Sequence, residues 1–194
     1  GLTDTTQYYA RAFVQTGTGY AYGDEITFTT DAPPPPSDVF DTSVALESGG
    51  NPVTFPNAMT IAANPNRMLV ASISCQDSNH ANMPVIELKW GTQNFIKVRH
   101  DEPAENVRSE LWYLPNPAAG TQDLYVVNNG SIWRGIVLTS LYNIKQQAPN
   151  ANAGATGDST APSVNVTVAE DDSVLVDALS SEAARTALGT DQVT

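Results

Sequence analysis

Cationic side chains, histidine and cysteine are scarce in this sequence, and each scarcity argues against a class of function. Nine Lys and Arg residues stand against 21 Asp and Glu residues, which gives a formal net charge of −12. Nucleic acids and anionic membrane surfaces are bound through clusters of basic side chains, so the composition argues against both partners. No apolar run approaches the roughly 18 residues that a membrane-spanning helix needs, so membrane insertion is not expected either.

The few residues of catalytic type lie outside recognisable motifs. Cys75 is the one cysteine, so these residues form no disulfide among themselves, and we expect its thiol to be buried on a strand. Of the two histidines, His80 lies in a polar loop and His100 precedes a pair of acids, which predicts surface positions for both. The sequence has no nucleophile elbow and no zinc-ligand spacing, so we assign no catalytic residue and predict that the chain is not an enzyme.

Glycoside hydrolysis is the remaining chemistry to weigh, because it requires two carboxylates that face each other across a cleft. Glu87 and Glu110 are the candidates, and each lies within a segment that is predicted to be a strand. Acidic side chains in strand patterns usually point to solvent. We therefore expect both carboxylates on the surface and no hydrolase site.

The first thirty residues predict a β-hairpin. Residues 7–14 are rich in strand-forming side chains, and a glycine-containing turn region follows them. Residues 25–30 then alternate, with Ile26 and Phe28 on one face and threonines on the other. A lone hairpin is marginally stable in water, so its apolar face needs cover from other chain segments.

The same residues resemble the C-terminal end of a fibronectin type III module. The positions that follow the family signature are Gly1, Leu2, Thr6, Tyr8, Arg11 and Ala12, while Asp4 stands where the family usually has proline. The resemblance implies that the hydroxyl of Tyr8 bonds to backbone upstream of it, and that Leu2 and Arg11 are structural. It covers only two of the seven strands of such a module, so the missing strands are expected from the same chain or from another subunit.

Residues 31–38 contain four consecutive prolines and predict a linker. Such a run favours the polyproline II conformation, which is extended and acts as a semi-rigid spacer. We therefore expect residues 31–38 to separate the hairpin, residues 1–30, from a second domain, residues 39–194.

The sequence of the second domain predicts an antiparallel β-sandwich, because short apolar or alternating runs recur at short intervals with turn signals between them. The predicted strands are residues 66–75, 85–90, 94–98, 109–114, 123–127, 132–144, 164–168 and 173–179. The whole chain is accordingly predicted to be all-β, with a partial Ig-like hairpin followed by a sandwich.

This second region resembles a jelly-roll-like sandwich domain of large secreted bacterial proteins. The resemblance lies in residues 66–70, in Trp90 and Gly91, and in residues 111–121. It implies secretion, to the cell surface or the extracellular space. It also implies further strands after the position of Leu179. Truncation of the domain at its C-terminal end is therefore one of the expectations.

A structural role is the function that we expect. The chain would be a non-catalytic segment of an extracellular fibre, adhesin or surface-layer protein, in contact with neighbouring domains or with copies of the same protein. The alternative is a carbohydrate-binding appendage of a secreted polysaccharide-degrading enzyme. Its candidate residues are Trp133, Arg134 and Trp112, because aromatic side chains at a surface offer a flat apolar face to a sugar.

Calcium is the one cofactor that the sequence suggests. Glu170, Asp171 and Asp172 form a cluster of carboxylates, the hard oxygen ligands that Ca²⁺ takes. The competing interpretation is a solvated turn between two strands.

Overall fold

The computed structural model describes residues 2–3, 5–30, 39–103, 106–157, 163–168, 170 and 173–181. The chain divides into two compact units, residues 1–37 and residues 38–194. The strands of both units pair antiparallel, so the predicted all-β class with a β-sandwich is confirmed. The predicted linker lies outside the described residues. Within the described ranges, no helix has the length and apolar character that crossing a bilayer requires.

The first unit is a hairpin of β1 (Gln7–Thr16) and β2 (Gly19–Thr29), longer than the predicted strands. A bulge shifts the register between Arg11 and Phe13. Bulges insert an extra residue into one strand and increase the local twist.

Both faces of the hairpin carry exposed apolar side chains. Tyr8 stacks with Phe28, with their ring centroids 6.0 Å apart. Phe13 contacts Tyr20 and Tyr22 at 5.8 and 6.2 Å, and the alternation along β1 places this second group on the opposite face. Two strands alone cannot bury either face, so all these phenylalanine and tyrosine rings except that of Tyr8 are among the large apolar side chains exposed to solvent.

The second unit is a sandwich of two sheets. Its described strands are β3 (Phe40–Ser48), β4 (Val53–Ile61), β5 (Met68–Gln76), β6 (Val85–Trp90), β7 (Gln93–Asn94), β8 (Ile96–Asp101), β9 (Val107–Pro115), β10 (Gly120–Asn128) and β11 (Trp133–Leu141), with a 3₁₀ turn at His80–Asn82. One sheet has the order β4-β10-β6-β7 and the other the order β3-β11-β5-β9-β8.

The core lies between the sheets and follows from the alternation along the strands. On β5, Leu69, Ile73 and Cys75 are buried, whereas Ser72 and Ser74 lie on the outer face. Burial of one large aliphatic side chain stabilises the fold by ~2 kcal/mol. The prediction of a buried Cys75 is confirmed.

The sequence pattern did not predict β3 and β4. Strand β4 contains Pro56, which cannot donate a ladder hydrogen bond and argues against a strand. Its position makes Pro56 tolerable, because β4 is an edge strand and its register with β10 shifts between Gln122 and Leu124.

The predicted strands at residues 164–168 and 173–179 are wrong, because the structure has no strand in either range. Residues 173–181 instead pass over the outer face of the five-stranded sheet. Val176 packs there against an apolar cluster on that face, and Ser72 Oγ donates a hydrogen bond to the Asp177 carbonyl at 2.8 Å. This segment therefore lies on the face of the sheet and does not pair with an edge strand.

Candidate functional site

A buried carboxylate joins the two sheets of the sandwich. Glu110 lies on β9, and its side chain has no exposed surface. Its Oε1 accepts hydrogen bonds from the Val85 amide at 3.2 Å and from Arg108 Nε at 2.6 Å. Its Oε2 accepts one from Trp112 Nε1 at 2.8 Å and pairs with Lys97 Nζ at 2.8 Å. Since Val85 belongs to the four-stranded sheet and the other donors to the five-stranded sheet, this one carboxylate connects both.

The acceptor capacity of Glu110 is used within the fold. An ionised carboxylate has about four lone-pair sites, and four protein donors approach this one. Lys97 Nζ also donates to the Val85 carbonyl at 3.2 Å and lies 4.6 Å from the centroid of the Trp112 ring. This arrangement can stabilise the charge of Glu110, but it leaves no oxygen directed at a substrate.

The prediction that both strand carboxylates point to solvent is therefore wrong for Glu110. Its burial is compensated by Arg108 and Lys97, which flank it on β9 and on the neighbouring strand β8. Glu87 is partly exposed and pairs with Lys89 on its own strand. The structure thus places one carboxylate inside the sandwich and the other at its surface.

Two of the three candidate carbohydrate-binding residues lie inside the sandwich. Trp112 is 7% exposed and lines a groove of about 420 Å³ together with Ile86 and Phe95. Arg134 is completely buried, and its Nη2 donates to the Gly50 carbonyl at 2.6 Å. Burial lowers the pKa of the Arg134 guanidinium.

Trp133 is the one candidate aromatic residue that the structure presents to solvent, with 56% of its surface exposed. It begins β11 and points to the outer face of the five-stranded sheet, because successive strand residues point to opposite faces and Arg134 points inward. The structure therefore places Trp133 and Arg134 on opposite faces of the sheet. The two candidates do not form one carbohydrate-binding surface.

The Trp133 ring rests on the loop between β3 and β4. A Cβ atom added at Gly49 would stand 3.3 Å from Cε3 and 3.6 Å from Cζ3 of the indole. On β5, Gln76 is the register partner of Trp133. On β3, Glu47 is the register partner of Gly135, where an added Cβ would contact nothing within 4 Å. The ring therefore borders a strip of sheet at Gly135, with polar side chains beside it, that is open as far as Ser74, which is covered by its hydrogen bond with Ser180.

The interior beneath this loop is polar. The Asn51 side chain donates a hydrogen bond to the Asn128 carbonyl and accepts one from the Asn128 amide, each over 2.8 Å. Arg134 is the register partner of Cys75, and Asn128 Nδ2 contacts Cys75 Sγ at 3.7 Å. Among the described protein atoms, Arg134 Nε, Arg134 Nη1 and Asn128 Oδ1 have no hydrogen-bond partner.

Cys75 is unsuited to nucleophilic chemistry at neutral pH. Burial, with a smaller contribution from the charge of Glu110, raises the pKa of its thiol to about 12. The thiolate is the reactive form, so a thiol with this pKa remains protonated and inert.

The calcium prediction falls mostly outside the described residues. Asp171 and Asp172 are not described, and Glu170 pairs with Lys145. Within the described part of the chain, no group of three or more His, Cys, Asp or Glu side chains is placed to hold a metal ion. Calcium stays a prediction, to be tested by melting the protein with and without a chelator.

In the hairpin, the hydrogen bond implied for Tyr8 is present. The Thr3 amide donates to the Tyr8 hydroxyl oxygen at 2.6 Å. A hydrogen bond with the Thr3 side chain and, to a smaller extent, this backbone bond lower the pKa of the phenol. Arg11 pairs with Glu25 across the strands at 3.1 Å. Leu2 is exposed.

Sequence reasoning missed the neighbours of Trp133. Gly135 follows Trp133 two residues later on β11, whereas Glu47, Gly49 and Gln76 are far from Trp133 in the chain. Strand register and the packing of the loop on the indole bring these three to it, so no local motif could have identified them.

No protein-family model, curated protein or solved structure matches this chain.

Proposed function

We propose that the chain is a non-catalytic structural segment of a large extracellular multi-domain protein of bacteria. The observation that carries the proposal is the environment of Glu110. This carboxylate is the most deeply buried acid in the described sandwich, and its oxygens bind donors of both sheets. The hydrogen bond from the Val85 amide links this carboxylate to the other sheet, and a buried ion pair like those with Arg108 and Lys97 is strongly destabilising to break.

The proposal extends to the modules and their partners. The hairpin is the end of a fibronectin type III-like module, supported by the bond between Tyr8 and the Thr3 amide, and the sandwich is jelly-roll-like. Phe13, Tyr22 and Ile26 are more than 60% exposed in the hairpin, which suits a unit whose faces contact neighbouring domains or copies of the protein.

Fractionation of the cells that produce the protein, together with the mass of the native polypeptide, tests the structural proposal. Antibodies against this chain should detect the native polypeptide at the surface or in the medium of the cells that produce it. A denatured mass much greater than that of the 194 residues would exclude donation of the missing strands by a separate subunit. A polypeptide confined to the cytoplasm contradicts the proposal.

Turnover assays test its non-catalytic part. The chain should hydrolyse no member of a panel of glycans and esters. Turnover that is lost in Glu110→Gln, but kept in Glu87→Gln, would identify Glu110 as a reacting group and overturn the structural assignment.

Carbohydrate binding, as the appendage of a secreted polysaccharide-degrading enzyme, is the second candidate function. The specific observation in its favour is the exposed indole of Trp133 near Gly135, where an added Cβ would meet no atom within 4 Å. Binding to a glycan array supports this function, and an absence of binding to every glycan on it removes the function.

A further inference from the structure

The loop that follows β3 is held from both sides of the five-stranded sheet. Outside, the six-membered ring of Trp133 lies against Gly49. Inside, Arg134 Nη2 donates to the carbonyl of the next residue, Gly50, at 2.6 Å. Because Trp133 and Arg134 are consecutive on β11, one strand fixes the two surfaces of this loop.

We propose that Trp133 is the binding platform for a neutral sugar ring, and that Arg134 is a positioning residue that holds the loop behind it. The proposal rests on the second candidate function and names its ligand class and its supporting residue. Gly49 is part of the same unit, because a Cβ atom added there would stand 3.3 Å from Cε3 of the indole and would press on the ring.

The chemistry of the platform suits the flat face of a pyranose. The indole face carries the negative end of the ring quadrupole, which attracts the weakly positive C–H groups of a sugar. Next to it, a Cβ atom added at Gly135 would meet no atom within 4 Å, so the surface beside the ring is open as far as Ser74, which Ser180 covers. The exposed side chains of Gln76 and Glu47 border this strip and can bond to sugar hydroxyl groups.

Charge selects neutral sugars over uronic or sulfated ones. The chain has a formal net charge of −12, and Glu47 adds a carboxylate beside the strip. Among the described register neighbours of Trp133 and Gly135 there is no Lys or Arg side chain. Arg134 cannot compensate, because it is buried on the opposite side of the sheet.

A buried Arg134 is costly unless its donors are used. Its hydrogen bond to the Gly50 carbonyl is the one that reaches the loop. The next residue of the loop, Asn51, is held by its two hydrogen bonds with Asn128. A ring held in its binding orientation before the ligand arrives loses less conformational entropy on binding. Loosening the loop should therefore weaken binding although Arg134 does not touch the sugar.

Binding should be measured by isothermal titration with soluble neutral glucans and mannans, and with polygalacturonate and alginate as the anionic set. Neutral polymers should bind at least tenfold more tightly than anionic ones. Trp133→Ala should lose at least tenfold in affinity, and Trp133→Phe should stay within threefold. Arg134→Met and Gly49→Val should each lose at least fivefold. Ala45→Val, at an exposed position of β3, is the matched control and should bind as the wild type does.

A second readout separates positioning from loss of fold. Acrylamide quenching of Trp133 emission should change in Gly49→Val and Arg134→Met while circular dichroism does not. If Arg134→Met fails to fold, Gly49→Val alone decides, since Gly49 is exposed.

The outcomes distinguish this inference from the function on which it rests. Binding that survives Trp133→Ala, or that prefers anionic polymers, overturns the inference and leaves carbohydrate binding standing. Loss in Trp133→Ala without loss in Gly49→Val and Arg134→Met overturns the positioning role. An absence of binding to all polymers removes the function and the inference together.

Discussion

The Val85 amide on one sheet donates a hydrogen bond to Glu110 Oε1 on the other, over 3.2 Å. Glu110 is in turn paired with Arg108 and Lys97, so the contact between the sheets includes a buried ion cluster as well as apolar packing. This relationship makes Glu110 a structural residue, and its consequences can be measured.

Glu110→Gln should lower the free energy of unfolding by ~3 kcal/mol, because it removes the buried counter-charge of Lys97 and leaves Arg108 with the Glu102 carboxylate alone. Urea denaturation followed by circular dichroism measures this loss. Glu87→Gln is the matched control: its ion pair with Lys89 is partly exposed, so the change should stay within ~1 kcal/mol. Equal effects of the two substitutions would be incompatible with the assigned burial.

Cys75 should react with a thiol reagent only when the protein unfolds. Burial raises the pKa of its thiol to about 12, compared with 9.0 for an ordinary cysteine. A protonated native thiol stabilises the folded state fully below pH 9, and this contribution is lost as the pH rises towards 12. Between pH 9 and 11, the wild type should therefore lose stability more steeply than Cys75→Ala, by ~1 kcal/mol per pH unit. Parallel pH profiles would show that the thiol titrates normally.

Trp133 should account for nearly all the tryptophan emission that acrylamide quenches. Trp90 has no exposed surface and Trp112 is 7% exposed, whereas Trp133 is 56% exposed. In Trp133→Phe the quenchable fraction should disappear, while Trp112→Phe should retain it. Strong quenching in Trp133→Phe would mean that the sandwich opens at another tryptophan.

Gly91→Ala should destabilise the turn between β6 and β7 by ~1–2 kcal/mol. Gly91 has a φ of +56°, a left-handed conformation that costs an L-residue about this much. Gly135→Ala is the matched control, since an added Cβ there meets no atom within 4 Å, and its effect should stay within ~0.5 kcal/mol. Thermal melts of the two variants provide the comparison.

Much of the sandwich could be predicted from local pattern, but the site could not. The predicted strand at residues 85–90 matches β6, because apolar residues alternate with Glu87 and Lys89 from Ile86 to Trp90. Pro56 concealed β4, since a proline is acceptable only at an edge that the sequence does not reveal. Residues 173–179 contain a short apolar run that predicts a strand, but the segment lies on a sheet face, which depends on the tertiary fold.

The same limit explains the candidate residues. The sequence indicates both Trp133 and Arg134 as carbohydrate-binding residues, whereas the strand geometry sends them to opposite faces of the sheet. The burial of Glu110 depends on Lys97 and on Val85, which approach it only through strand register and sheet packing. Such long-range partners leave no local signal.

A double-mutant cycle between Lys97→Met and Glu110→Gln tests the central claim most directly. The claim is that this carboxylate serves the fold by binding cations and amides inside it. Urea unfolding of the wild type, both single variants and the double variant should give a coupling free energy of ~1–3 kcal/mol, as for contacting residues in one network. Additive losses would contradict the account, because they would mean that Glu110 and Lys97 do not stabilise the sandwich together.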